Sequence, residues 1–346
     1  MIKDEKPSRT ELSELGEFGL IDRLTKDIRL VNKSTLKAVG DDAAVIDHSG
    51  KYTLVTKDLL IEGIHFDLSY TPLKHLGYKA AVVNISDIAA MNGKATQLFV
   101  GISVSNRFSV EALDELYSGI RLACERFGVD LAGGDTTASP SGLFLSITVI
   151  GEADPAKVVY RNTARENDLI CVTGDLGAAY MGLLVLQREK EVFKANPKMQ
   201  PELEGNDYVL ERQLKPEPRT DIVEKLAEAG VLPTAMIDIS DGLASEILHI
   251  ARDSKLGCRI FEEKIPVDVV TGDIASEFRI DPTVAALNGG EDYELLFTVA
   301  LSDLEKVQNI KGVTVIGHMT SQSEGEYLVS RGGSLYPIEA QGFKHM

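Results

Sequence analysis

The chain has 346 residues, 44% hydrophobic and 26% charged, with a formal net charge of −17. That length is too great for one ordinary core and predicts two domains, residues 1–154 and 155–346. The acidity argues against a nucleic-acid or anionic-membrane surface, and the mixture of residue types is that of a soluble globular protein.

The N-terminus, Met1-Ile2-Lys3-Asp4-Glu5-Lys6, lacks the apolar core of a signal peptide, and no apolar run is long enough to span a bilayer. Cytoplasmic placement is expected. The spacing of Leu12, Leu15, Leu20, Ile21 and Leu24 predicts a helix from Thr10 to about Leu30. Two strands follow, Ala43–Asp47 and Tyr52–Asp58, joined through the turn-rich His48-Ser49-Gly50. Alternation along the second strand puts Thr56 and Asp58 on one face and Lys57 on the other. Pro72 opens a helix through Met91, stopped by Asn92-Gly93, with Asn84 and Asp87 on one face. Strand Leu98–Val104, helix Val110–Phe127 and strand Leu143–Ile150 complete an α/β half, with Gly133-Gly134-Asp135 expected in a tight loop.

Glu152-Ala153-Asp154-Pro155 reads as the link between halves. Asp168–Thr173 predicts a strand running through Gly174-Asp175-Leu176-Gly177 into an amphipathic helix. That turn lacks the full dinucleotide fingerprint, so a structural strand-to-helix turn is favoured over a phosphate cradle. The polar stretch Glu189–Asn206 predicts a surface excursion. Helices near Pro218–Glu228 and Leu243–Asp253 follow, the second capped by Ser240 or Asp241. Strands are expected near Arg259–Phe261, Glu294–Val299 and Val313–His318. Cys124, Cys171 and Cys258 are scattered without CxxC spacing and read as buried thiols in a reducing compartment.

Five aspartate-bearing stretches carry the chemistry: Gly40-Asp41-Asp42, Thr56-Lys57-Asp58, Asn84-Ile85-Ser86-Asp87, Gly133-Gly134-Asp135-Thr136-Thr137 and Asp238-Ile239-Ser240-Asp241-Gly242. Converging carboxylates repel one another unless cations lie between them, and hard oxygen donors in such numbers suit Mg²⁺ and bound phosphates. No Walker lysine loop accompanies them, so a phosphoryl-transfer enzyme of the non-P-loop kind is expected. Gly40-Asp41-Asp42 or Gly133-Gly134-Asp135-Thr136-Thr137 alone would be an ordinary turn, and any one stretch by itself is more often structural than functional.

Their joint order, with Leu15-Gly16-Glu17-Phe18, Glu62-Gly63-Ile64-His65-Phe66 and Gly289-Gly290-Glu291-Asp292-Tyr293-Glu294-Leu295, resembles the thiamine-monophosphate kinase family over nearly the whole chain. The resemblance implies a two-domain α/β (α+β) fold of the aminoimidazole ribonucleotide synthetase-like kind, with N-terminal halves pairing in a homodimer. It implies ATP-dependent phosphorylation of thiamine monophosphate to thiamine diphosphate, with several Mg²⁺ ions and ATP as co-substrate. Asp42, Thr56, Asp58, Asp87, Asp135, Asp238 and Asp241 match the family's metal ligands. Tyr117, Gly134, Asp135, Arg161 and Ser240 match its nucleotide contacts, and His65, Glu291 and Phe343 its substrate contacts.

From the residues themselves, Tyr117 could be core and Arg161 a surface cation, though its family position favours a phosphate partner, and His65 is as readily a satisfied interior imidazole as a substrate contact. No separate general base is expected. Lys57 departs from the family, which usually has a hydroxyl residue between Thr56 and Asp58; it leaves open whether that position coordinates through side chain or carbonyl. Two other readings remain: an aminoimidazole ribonucleotide synthetase-like enzyme, and a non-catalytic nucleotide- and magnesium-binding regulator. The related selenophosphate enzyme is disfavoured because no Cys precedes Cys124, and the hydrogenase-maturation dehydratase because the chain ends Gly342-Phe343-Lys344-His345-Met346.

Overall fold

The computed structural model describes residues 35–37, 40–48 and 50–341. The helix expected before Leu30, the Leu15–Phe18 motif and Phe343 lie outside the described residues. Within them, two sheets form the frame. The first has the order β1-β2-β3-β6-β4-β5, from β1 (Thr35–Lys37), β2 (Ala44–Asp47), β3 (Tyr52–Ile61), β4 (Lys94–Val104), β5 (Asp130–Ala138) and β6 (Leu143–Ala153). All its pairings are antiparallel except β4 with β5, which are parallel and joined through helix α2 (Val110–Phe127).

Among the described residues, one face of this sheet is packed and the other is open. Helix α1 (Leu73–Ala90) and α2 cover the face carrying Leu54, Leu98, Val100, Leu145 and Ile147. The two helices touch at glycines: a Cβ on Gly77 would stand 2.0 Å from the Leu116 carbonyl oxygen, and one on Gly119 would stand 1.9 Å from that of Lys74. Only a bare Cα allows that approach. The opposite face presents Leu59, Phe99 and Phe144 to solvent, Leu59 with 57% of its surface exposed.

The second sheet runs β13-β12-β9-β11-β7-β10-β8. Its strands are β7 (Leu169–Thr173), β8 (Ala235–Asp238), β9 (Leu256–Phe261), β10 (Leu295–Val299), β11 (Val313–Ser321), β12 (Glu326–Val329) and β13 (Leu335–Pro337). Around it lie α3 (Ala178–Ala195), α4 (Asp207–Leu214), α5 (Thr220–Glu228) and α6 (Leu243–Ser254), with α7 (Val269–Glu277), α8 (Pro282–Asn288) and α9 (Leu304–Gln308) completing the half. Ile170, Ile237 and Leu296 pack on Leu243, Ile247 and Ile250 of α6, while Met236, Leu295 and Phe297 meet Ile222 and Leu226 of α5 and Ala90 of α1. Helix α1 therefore belongs to both halves, which is why it is apolar nearly all round.

The α/β expectation holds, with four local corrections. Gly133-Gly134-Asp135 is not a tight loop: it lies inside β5, where pairing with β4 overrides the weak strand propensity of glycine. The 189–206 stretch is only partly an excursion, since α3 continues to Ala195 and Glu189 is buried. Neither Ser240 nor Asp241 caps α6; Gly242 occupies that position, and no side chain caps it. Helices α4, α7, α8 and α9 went unread in the sequence, being short. No described helix is long and apolar enough to cross a membrane.

Candidate active site

Four carboxylates act on one another where helix α1 meets both halves. Asp58 comes from β3, Asp87 from the last turn of α1, Asp42 from the loop before β2, and Asp238 from the end of β8. Their placement follows from local rules. Asp58 pairs across the sheet with Ile147 and so shares the helix-covered face. Asp87 lies on α1 where that helix passes from one sheet to the other.

Hydroxyls orient two of the four. Thr56 Oγ1 donates to Asp87 Oδ2 at 2.5 Å, and Ser86 Oγ donates to Asp238 Oδ2 at 2.6 Å, linking the first half to the second. The crowding leaves its mark on proton affinity. Burial lifts the Asp58 carboxyl to about 6. Burial likewise lifts Asp238 to about 7, opposed by the Ser86 hydrogen bond. Asp87 is pushed well above the carboxylate range by burial and then by the charges of Asp58, Asp238 and Asp42. Asp42 is raised by burial, then by Asp238 and Asp41, with Arg161 pulling the other way.

Such a group of acids is expensive to ionise together and calls for cations. Among the described residues, no three His, Cys, Asp or Glu side chains are gathered closely enough to chelate one ion alone. That arrangement still fits Mg²⁺, which takes one or two carboxylates and completes its octahedron with water and phosphate oxygens. The donor set is all hard oxygen, and Asp42 Oδ2 is buried without a hydrogen-bond partner among the described residues.

The remaining predicted residues divide. Asp241 stands beside the cluster, its backbone N–H donating to Glu246 Oε1 at 2.9 Å, with Ser240 Oγ 3.4 Å from the same oxygen. Arg161 is ion-paired to Asp253 at 3.2 Å and acts on both Asp41 and Asp42. His65 accepts a hydrogen bond at Nδ1 from the Ile61 N–H (3.0 Å), which leaves Nε2 as the protonated nitrogen of the neutral ring. Glu291 is partly exposed and lies on a turn of left-handed residues: Gly290 at φ +71°, Glu291 at +59° and Tyr293 at +50°. Two backbone bonds pin that turn to the exit of β8, Glu291 N–H to Ser240 O at 2.6 Å and Tyr293 N–H to Ile239 O at 2.9 Å.

Asp135 is not brought into the cluster within one chain. It pairs with Gly101, which pairs with Ser146, which pairs with Leu59, so it shares the open face of the sheet. Gly134 faces the other way, pressed so close to β4 that a Cβ would stand 2.0 Å from Val100 O. Tyr117 packs against the first core from α2. Lys57 lies opposite Thr56 and Asp58, donating to Ser146 Oγ and, at 3.4 Å, to Thr148 Oγ1.

Gly174–Gly177 is a structural turn: the Gly177 and Ala179 N–H groups are taken by Asp292 at 2.7 and 3.3 Å. The three cysteines are buried and free. Sequence reasoning missed Glu246, Lys79 and Gln213. The signals were a carboxylate five residues after Asp241, and one lysine in the otherwise apolar middle of α1.

Residues 40–153 match the family model described as AIR synthase related protein, N-terminal domain, and residues 165–330 match its C-terminal domain. Thiamine-monophosphate kinase of Buchnera aphidicola subsp. Schizaphis graminum is 34% identical over 96% of this chain and 99% of that protein. The protein of the same name from Aquifex aeolicus is 33% identical over 96% and 99%. A solved structure of AaThiL complexed with AMPPCP and TMP superposes with a TM-score of 0.82 at 31% identity, covering 98% of this chain and 99% of that one.

Proposed function

The chain belongs to the thiamine-monophosphate kinase family, and on that premise we propose that it transfers the γ-phosphoryl group of ATP directly to thiamine monophosphate, yielding thiamine diphosphate and ADP. The observation that carries this reading is the meeting of Asp42, Asp58 and Asp87 with Asp238 at the seam between halves, in a chain similar to such kinases along its whole length.

The nucleophile is a phosphate oxygen of thiamine monophosphate. With a second pKa of about 6 it is already mostly ionised at neutral pH, so no general base is needed. The barrier is repulsion between anions. Bound Mg²⁺ supplies the neutralising charge on the phosphate oxygens. Asp42, Thr56, Asp58, Asp87, Asp238 and Asp241 are the residues that would hold it. Thr56 and Ser86 keep the Asp87 and Asp238 carboxylates oriented. Arg161, Tyr117, Gly134 and Ser240 are proposed to contact the nucleotide. His65, through its Nε2–H, and Glu291 and Phe343 are proposed to contact thiamine monophosphate.

We further propose a homodimer in which a second copy covers the open face of the first sheet, where Leu59, Phe99 and Phe144 are exposed and β5 is the last strand among the described residues. Asp135, on that face, takes its nucleotide and metal role only in the dimer. Residues 1–154 and 155–346 form the two domains, and the reaction is cytoplasmic, in keeping with three unpaired thiols.

The test is a product assay with ATP, Mg²⁺ and thiamine monophosphate, with the purine synthetase's substrate as control. Thiamine diphosphate formed in step with ADP is expected. ADP formed only with the purine substrate, or from neither, overturns the reading.

A further inference from the structure

We infer that Lys79, together with Gln213, is the positioning clamp that presents Glu291 to the thiamine moiety and thereby sets affinity for the acceptor substrate. The inference rests on Glu291 being a substrate contact, as proposed above.

Lys79 lies in the middle of α1 and is 6% exposed, an unusual place for an ammonium group unless it is paired. Both of its partners belong to the second half. Its Nζ stands 3.0 Å from Glu291 Oε1 and donates to the Gln213 carbonyl oxygen at 2.9 Å. Gln213, itself buried, donates from Nε2 to the other oxygen, Glu291 Oε2, at 2.8 Å. One carboxylate is thus gripped at both oxygens by two buried side chains from different helices.

The backbone beneath is held as firmly. Glu291 sits at φ +59°, and its N–H is committed to Ser240 O. Such a residue costs conformational energy and persists where the surroundings over-determine it. Yet the carboxylate is not sealed: about a third of the Glu291 side chain remains exposed. A carboxylate has about four lone-pair directions, and Lys79 and Gln213 use two. The rest can accept from N–H donors of an aminopyrimidine. Held in this way, Glu291 loses little rotational freedom on binding, the usual source of affinity from pre-organisation. Lys79 is also two turns from Ser86 and Asp87, so one rigid helix sets the distance between the thiamine contact and the aspartates.

A lysine that only glued the halves together would affect stability, or both substrates alike. The clamp predicts a selective effect. Steady-state kinetics of full-length Lys79→Met should show the KM for thiamine monophosphate raised about tenfold and the KM for ATP changed less than about twofold, as expected for one lost charge-assisted contact. Lys79→Arg should recover part of the loss. In a Glu291→Gln background, Lys79→Met should add less than about threefold, because the two act as one unit.

Gln213→Met provides the same test if Lys79→Met does not fold, with a severalfold rise expected in the same KM alone. Equal rises for both substrates, full additivity with Glu291→Gln, or no change in KM for thiamine monophosphate would each overturn the clamp. A wild-type protein that makes thiamine diphosphate while these variants behave so leaves the kinase reading standing and removes this inference alone. A wild type without transfer activity removes both.

Discussion

The two faces of β3 show how differently one strand can be used. Thr56 and Asp58 point to the face covered by α1, where Thr56 bonds Asp87 and burial raises the Asp58 carboxyl to about 6. Lys57 and Leu59, one residue away in each case, point to the open face beside Ser146, Thr148 and Phe144. Inside, carboxylates are forced together in low dielectric. Outside, apolar side chains and a lysine stand in water with no covering element among the described residues. The lesson is that the two-residue period sorts a run such as Thr56-Lys57-Asp58 into different environments, so a lysine between two candidate ligands need not approach their metal.

The largest expected effect is on the inward face. Asp87→Asn and Asp238→Asn should each lower kcat by more than about a hundredfold, the scale seen when a pre-organised charge stabiliser is removed, while circular dichroism shows the fold retained. Near-normal turnover in both variants would show that the cluster is not the phosphoryl-transfer site.

The outward face can be broken separately. Phe144→Asp puts a charge on the open sheet, far from the aspartates in the bonding pattern, and should convert a dimer into a monomer by light scattering. A wild type that is already monomeric would remove the pairing surface, and with it the role given to Asp135.

A pH series sharpens the contrast further. Asp58 and Asp238 have folded values near 6 and 7 against 3.8 for the free side chain. The folded state therefore holds more protons than the unfolded state across that window, and stability falls as pH rises. In the presence of a chelator, Tm should be highest near pH 5 and drop by several degrees by pH 8. Added Mg²⁺ should flatten the slope. A metal-free Tm that rises over this range would contradict the raised proton affinity of these buried carboxylates.

The smallest effect belongs to Lys57→Thr. Its ammonium is engaged with Ser146 and Thr148 on the face opposite Thr56 and Asp58, so kcat should change less than about threefold, because alternation keeps it away from the aspartates. A large gain in Mg²⁺ affinity, measured by calorimetry, would show instead that the lysine displaces a ligand.

Much of this was legible from the chain. Helix α2 falls where its periodicity placed it, and α1 within a residue of the Pro72 and Met91 signals, because a strong apolar rhythm and terminal punctuation survive tertiary context. The division of Thr56 and Asp58 from Lys57 followed from alternation alone. What did not follow was anything that needs a distant partner. Gly133-Gly134-Asp135 has the composition of a turn and becomes a strand only because β4 offers it a ladder.

The sequence by itself determined the family, the α/β class, the aspartate motifs and the opposite faces of Lys57 and its neighbours Thr56 and Asp58. These are encoded locally, in spacing and in side-chain type. Tertiary structure alone decided that Asp135 stands apart from Asp58, Asp87 and Asp238 within one chain, that Ser86 meets Asp238 across 152 positions, and that Lys79 reaches Glu291. The first depends on strand pairing within the first sheet, and the other two on the packing of one half against the other. No local spacing rule carries contacts between residues so far apart, since their approach is set by which hydrophobic faces the whole chain buries together.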